Sequence, residues 1–283
     1  MKNKELNRRD FMKQLGMLSA AAGLGMMASS CKKEDLGPIT APDYSFKIKE
    51  LELKVANLLA NKTFWVETLG LELLAEGSQF FTIKIGDSRL TFRQINSSTP
   101  IIYHFAINIP QNQVENALDW LKNEGGKYAD GPTASVKIVR DEITNAEIIN
   151  KPLYQANSVF FNDHAGNIIE LIARNELAYT VEGPFNKDQF LRISEVAVVT
   201  RNSRDCQIKL EEEFGAKPFP GGTSGYTQVG GVDGVLLMLI PGRSWIPTES
   251  NLAVANQTIV TLQHPEEKEF TLPGSFVVVK TEA

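Results

Sequence analysis

From Lys47 to Ala56 polar and apolar residues alternate, with Ile48, Glu50, Glu52 and Lys54 on one parity and Leu51, Leu53 and Val55 on the other. Residues of one parity share a face of a strand, so the pattern predicts a strand with one buried side. Asn57 to Leu69 switches to helical spacing, with Leu59, Phe64, Trp65 and Leu69 available for a buried stripe. Three short strands follow, Leu71–Ala75, Phe80–Ile85 and Arg89–Gln94, separated by the turns Glu76-Gly77-Ser78 and Gly86-Asp87. The result is a β-α-β-β-β unit.

The same order returns. Strand Ile102–Ile109 leads to a helix over Gln111–Asn123, capped by Gly125-Gly126. Val136–Arg140 and Glu147–Ile149 read as extended, then Ser158–Phe161 and Asn167–Ala173 as strands joined by the hairpin Asp163-His164-Ala165-Gly166-Asn167. After the Gly183-Pro184 break comes a third unit: strand Leu191–Thr200, helix Ser203–Phe214 with Ser203 as N-cap, and strands Tyr226–Val229 and Val235–Ile240. The tail supplies two strands, Thr258–Gln263 and Ser275–Lys280, and no helical run, as in a shortened fourth unit. Repetition is the organising feature of the chain.

Two polar residues interrupt this pattern where it is most apolar. His104 shares a strand face with Ala106 and Asn108, and Glu170 lies between Ile168 and Ile172 on its own face. An imidazole and a carboxylate so placed need a partner, either a metal ion or a hydrogen bond between the two. The chain has only three histidines, and His164 and His264 fall in turns. Cys206, in the third helix, is a packing residue. A formal charge of −5 over 283 residues leaves no basic footprint for nucleic acid, which is excluded as a partner.

The first residues read as an address rather than as part of the fold. Asn7-Arg8-Arg9-Asp10-Phe11-Met12-Lys13 matches the twin-arginine export pattern, and Leu15 to Met27 is an apolar run too short to span a bilayer. Ala28-Ser29-Ser30-Cys31 resembles a bacterial lipoprotein cleavage box, with Cys31 as the lipidated residue, although Ala28 stands where Leu is usual. Lys32-Lys33-Glu34-Asp35 resembles the charged tether of Bacteroidetes lipoproteins. The expectation is a signal over 1–31, a linker over 32–45, and a protein exported by the twin-arginine route. It is then held at the membrane by its lipid anchor only, facing the periplasm or cell surface.

Phe64-Trp65-Val66-Glu67-Thr68-Leu69-Gly70-Leu71, Tyr103-His104-Phe105-Ala106 and Asn162-Asp163-His164-Ala165-Gly166-Asn167-Ile168-Ile169-Glu170-Leu171 stand in the order found in the vicinal oxygen chelate superfamily. The chain resembles that superfamily, which includes glyoxalases, extradiol dioxygenases and bleomycin-resistance proteins, clearly over about 48–174 and more weakly over 193–240. The resemblance implies an α+β fold of repeated β-α-β-β-β modules that pair into curved, cup-shaped mixed sheets. It divides the chain into a domain at 46–176 (modules 46–96 and 101–175) and a degenerate one at 190–283 (module 191–241 and truncated module 252–281). It implies metal ligands on the first and last strands of each module. Matched position by position, these are His104 and Glu170, with Glu50 where a His is usual and Thr91 where a Glu is usual; the third module offers Glu195 and about Met238, not an intact pair.

By the same resemblance the activity is that of a divalent-metal enzyme with glyoxalase-like lyase or isomerase chemistry on a small vicinal-oxygen substrate. His104, Glu170 and Glu50 would hold Fe, Mn or Zn, a set without sulfur donors. Thr91 and Arg93 on the cup face would contact substrate, although Arg89 and Arg93 would equally neutralise Glu50. Gly242-Arg243-Ser244-Trp245 reads as a packed surface turn. The alternative is a non-catalytic module that sequesters a hydrophobic or drug-like ligand; an extradiol dioxygenase ranks behind both, because two of the histidines lie in turns. Module pairing in cis or across a homodimer is left open.

Overall fold

Four pairs of parallel strands organise the structure, a computed structural model that describes residues 44–97, 101–123, 136–219, 222 and 225–283. The signal, Cys31, nearly all of the linker and Gly125-Gly126 lie outside the described residues. In each module the first strand runs beside and parallel to the last. β1 (Ile48–Val55) lies on β4 (Ser88–Gln94), and β5 (His104–Ile109) on β9 (Ile168–Arg174). β10 (Arg192–Val199) lies on β12 (Gly234–Leu239), and β13 (Thr258–Gln263) on β15 (Val277–Glu282). Between these come β2 (Leu73–Gly77), β3 (Phe80–Ile85), β6 (Lys137–Ile138), β7 (Ile148–Lys151), β8 (Ala156–Asn162), β11 (Tyr226–Gly231) and β14 (Glu269–Thr271). Three modules carry a helix after the first strand: α1 (Leu58–Lys62), α2 (Val114–Asn123) and α3 (Ser203–Phe214). The fourth has none, as its sequence predicts.

The modules combine differently from the division expected at 46–176 and 190–283. One sheet has the order β14-β15-β13-β1-β4-β3-β2, joining the first module to the fourth. The other runs β11-β12-β10-β5-β9-β8-β6, joining the second to the third, with β7 on β8. The seams are the antiparallel pairs β1–β13 and β5–β10. A strand edge presents the same ladder of N–H and C=O groups whatever its side chains, so local sequence does not code which first strands meet.

The apolar parities of both sheets face one core, which includes Leu51, Leu53 and Phe92 from the first and Phe105, Ile107 and Leu171 from the second. Trp65 is fully buried at the centre, its ring 6.0 Å from Phe92 and 6.3 Å from both Phe105 and Phe161, so it touches both sheets. It reaches that position from a π-helical turn, Thr63–Thr68, which continues α1. The wider turn shifts the helical phase. Leu59, expected in the buried stripe, is accordingly exposed. The Asn57 side chain caps α1 by accepting from the Ala60 N–H. For α3 the cap residue is Asn202 and not Ser203, since the Asn202 N–H is held by Thr200 Oγ1 at 2.9 Å and Ser203 begins the helix.

At Gly86 a turn of the first module meets the start of the third. Its φ is +55°, and a Cβ there would lie 2.0 Å from the Leu191 carbonyl oxygen, which accepts from the Asp87 N–H. Only glycine fits this contact. Cys206 is buried, its thiol pushed up to about 11 chiefly by burial, in keeping with a packing residue. Among the described residues no helix is long and apolar enough to cross a membrane.

Candidate metal centre

The register of three neighbouring strands assembles the site. Ala106 of β5 pairs with Glu170 of β9 on one side and with Glu195 of β10 on the other. Adjacent strands lie about 4.8 Å apart, so the two carboxylates flank a methyl group small enough to leave space above it. His104, two residues before Ala106, shares its face. One ligand atom each from His104, Glu170 and Glu195 lie within 4.8 Å of one another, and all three residues are buried.

Every member is held from behind. His104 Nδ1 is 3.0 Å from the Ile168 carbonyl oxygen, which only accepts, so the proton belongs on Nδ1 and the Nε2 lone pair faces the site. Phe160 stacks on the ring at 6.2 Å. Glu170 Oε1 accepts from Lys151 Nζ and, at 2.5 Å, from Ser158 Oγ, while Oε2 lies 3.7 Å from His104 Nε2. Burial opposes ionisation of Glu170, but the charge of Lys151 above all, with the neighbouring imidazole and these hydrogen bonds, outweighs it and holds the carboxyl below its ordinary range. Glu195 Oε1 is bound by Arg174, whose Nε donates to Asn108 Oδ1 at 3.3 Å.

A divalent ion fits this donor set. An imidazole oriented by a backbone carbonyl and carboxylates each fixed through one oxygen are the supports that metal ligands require. Three protein donors leave coordination positions open, as at catalytic centres. Nitrogen and oxygen donors suit Mn, Fe or Zn. The three residues line a cavity of ≈ 40 Å³, walled also by Lys151, Leu237 and Trp245.

The structure joins His104 and Glu170 but not Glu50. Glu50 stands in the other sheet, where Thr91 Oγ1 donates to its Oε1 at 2.6 Å and Arg89 to its Oε2 at 3.2 Å. Arg93 donates to Glu52 at 2.5 Å, and Thr82 and Thr91 bond to each other at 2.8 Å. Thr91 and Arg93 therefore complete an ion-paired cluster in the first module's sheet and do not face the His104 centre. Arginine neutralises the carboxylate where a metal was expected. The third carboxylate is Glu195, and its signal was an acid amid the apolar strand Ile193–Val199, the pattern that marks Glu170. Met238 turns into the core, and Leu237 and Leu239 line the site instead, so the third module contributes one ligand and no fourth. Trp245 is buried in the cavity wall rather than in a surface turn.

Paired curved sheets built from β-α-β-β-β modules define the vicinal oxygen chelate fold, and this chain has it. A putative dioxygenase from Bacillus subtilis matches with a TM-score of 0.55 over 85% of this chain and 86% of that one, at 11% identity. A glyoxalase I variant from Zea mays matches with a TM-score of 0.51 over 84% and 94%, at 16% identity. Likeness at these identities concerns the fold. No protein-family model matches the chain, and no curated protein matches it in sequence.

Proposed function

We propose that the protein is a divalent-metal enzyme of the vicinal oxygen chelate type, acting on a small substrate with two neighbouring oxygens. The convergence of His104, Glu170 and Glu195 on one point, each supported from behind, carries this reading. A bound divalent ion would supply Lewis-acid polarisation of the substrate oxygens and stabilise the negative charge that develops on them. The protein's part is to hold the Nε2 lone pair of His104 towards the site and keep Glu170 ionised through Lys151. Leu237, Leu239 and Trp245 supply the apolar part of the wall. A cavity of ≈ 40 Å³ suits a few heavy atoms, whereas a sequestered drug-sized ligand needs a pocket of about 300 Å³ or more. Glyoxalase-like lyase or isomerase chemistry remains the form of activity we favour. Export and anchoring through Cys31 belong to the same proposal, checked by metabolic labelling with palmitate in cells carrying the parent or Cys31→Ala chain.

The test is metal analysis of purified protein after reconstitution with Mn, Fe(II) or Zn, beside His104→Ala, Glu195→Gln and Glu50→Gln. We expect close to one ion per chain in the parent and in Glu50→Gln. The other two variants, folded by circular dichroism, should lose it. A folded parent that takes up no ion would end the proposal, and loss of metal in Glu50→Gln would move the centre elsewhere. A metal-loaded parent is then screened against diols, hemithioacetals and hydroxy-ketones.

A further inference from the structure

We infer that the open cleft at the start of α3 binds phosphate, at a site separate from the metal centre. The cleft has a volume of ≈ 610 Å³, and Arg201, Ser203, Arg204, Asp205 and Thr227 are among its walls. Hydrogen bonding along α3 begins with the Cys206 N–H, which donates to Asn202 O at 3.0 Å. The N–H groups of Ser203, Arg204 and Asp205 come before it and point out of the helix end. Asn202 stands at the cap position, but its side chain makes no capping bond. It lies instead against Gly274, where a Cβ would sit 2.9 Å from Asn202 Cγ. Ser203 supplies a second, separate observation. The residue is only 8% exposed and lines the cleft, yet its hydroxyl has no hydrogen-bond partner among the described residues. A polar group so buried ordinarily has a partner, and the cleft is the place for one.

The donors set the ligand class. Arg201 and Arg204 are exposed and make no ion pair or hydrogen bond among the described residues; Arg204 acts on Glu211 through its charge alone. Two guanidinium groups, the Ser203 hydroxyl and the N–H groups of the helix end offer more donors than the two oxygens of a carboxylate can accept. They suit a tetrahedral oxyanion at the positive end of the helix. Among the described residues Asp205 is the one acid in the lining. It repels sulfate, which carries no proton at neutral pH, but can accept from the remaining P–OH of phosphate. Strand parity separates this cleft from the metal centre. Thr227 pairs with Met238, whose side chain faces the core, whereas Leu237 and Leu239 on the opposite face line the centre.

Inorganic phosphate is the probe, titrated calorimetrically into the purified protein at neutral pH, with sulfate as comparison. The chains compared are the parent, Ser203→Ala, Arg204→Gln, Asp205→Asn and His104→Ala, each checked for folding by circular dichroism. The expected result is one phosphate per parent chain, bound about tenfold more weakly by Ser203→Ala and by Arg204→Gln. The parent should prefer phosphate to sulfate, and Asp205→Asn should erase that preference. His104→Ala should bind phosphate like the parent, whether or not the metal reading holds. A parent that takes up no phosphate at about 10 mM overturns the inference. So does an affinity left unchanged in either Ser203→Ala or Arg204→Gln. Binding lost in His104→Ala would place the anion at the metal centre and overturn it as well. Sulfate bound by the parent as tightly as phosphate overturns the choice of phosphate.

Discussion

Asp163 and Arg174 are charged residues inside the protein that the chemistry does not use directly, and each has a measurable consequence. Asp163 accepts from the Asn167 backbone at 2.9 Å, from Asn167 Nδ2 at 2.8 Å and from Trp65 Nε1 at 3.4 Å. Burial nevertheless dominates these bonds and raises its carboxyl to about 6 from 3.8. An acid whose pKa is higher folded than unfolded contributes most stability below the unfolded value and loses it as pH rises to the folded one. Asp163→Asn removes this loss. Measured by urea unfolding, the stability of the variant relative to the parent should rise by about 3 kcal/mol in all between pH 3 and pH 7 and stay level above that. A difference that is flat with pH would contradict the assignment. Arg174 and Glu195 are both nearly fully buried, so Arg174→Met leaves an uncompensated carboxylate. The expected cost is about 3–5 kcal/mol, read from the same unfolding curves. A cost below about 1 kcal/mol would mean that Glu195 finds another partner.

Among the elements, the segment from Pro241 to Ala253 supplies one wall of the site. It folds on itself through Gly242 N–H to Ala253 O at 2.8 Å, Ala253 N–H to Arg243 O at 2.7 Å and Trp245 N–H to Asn251 O at 2.8 Å. Its far end is fastened to the loop after β6. The exposed Glu142 carboxylate accepts from the backbone N–H groups of Glu249 and Ser250 and from Ser250 Oγ at 2.8 Å. Since Trp245 is part of the cavity wall, this fastening should govern how readily that wall moves. Glu142→Ala should speed amide exchange at 249–251 and raise acrylamide quenching of tryptophan fluorescence at least twofold, with the melting temperature changed little. Unchanged exchange and quenching would show that the segment is held by its own hairpin bonds. The π-helical turn after α1 is the other element that alternation and helical spacing did not reveal. It is legible only once Trp65 is seen touching both sheets.

For the molecule as a whole, the partnership of modules fixes which carboxylates meet. Because β5 pairs with β10, His104 and Glu170 receive Glu195; because β1 pairs with β13, Glu50 is left with Arg89 and Thr91. A fragment comprising residues 44–176 lacks both seam partners and exposes the edges of β1 and β5. Light scattering should find it associated or aggregated, and co-expression with residues 177–283 should restore a one-to-one complex. A monomeric, cooperatively folding fragment would instead favour the two-domain division read from the sequence.

Periodicity alone located most strands and the helices α1, α2 and α3, because alternation and amphipathic spacing are local records of which side chains are buried. It also marked His104 and Glu170, since a polar residue within an apolar strand face is conspicuous wherever the strand ends up. The shortened fourth unit was legible for the same reason. Tertiary structure decided the rest. Backbone ladders pair without regard to side chains, so the joining of first to fourth and second to third module left no local trace. With that pairing went the identity of the third carboxylate. Glu50 and Glu195 both stand on the first strand of a module, and the strand that lies beside each one determines that the first meets an arginine and the second a histidine.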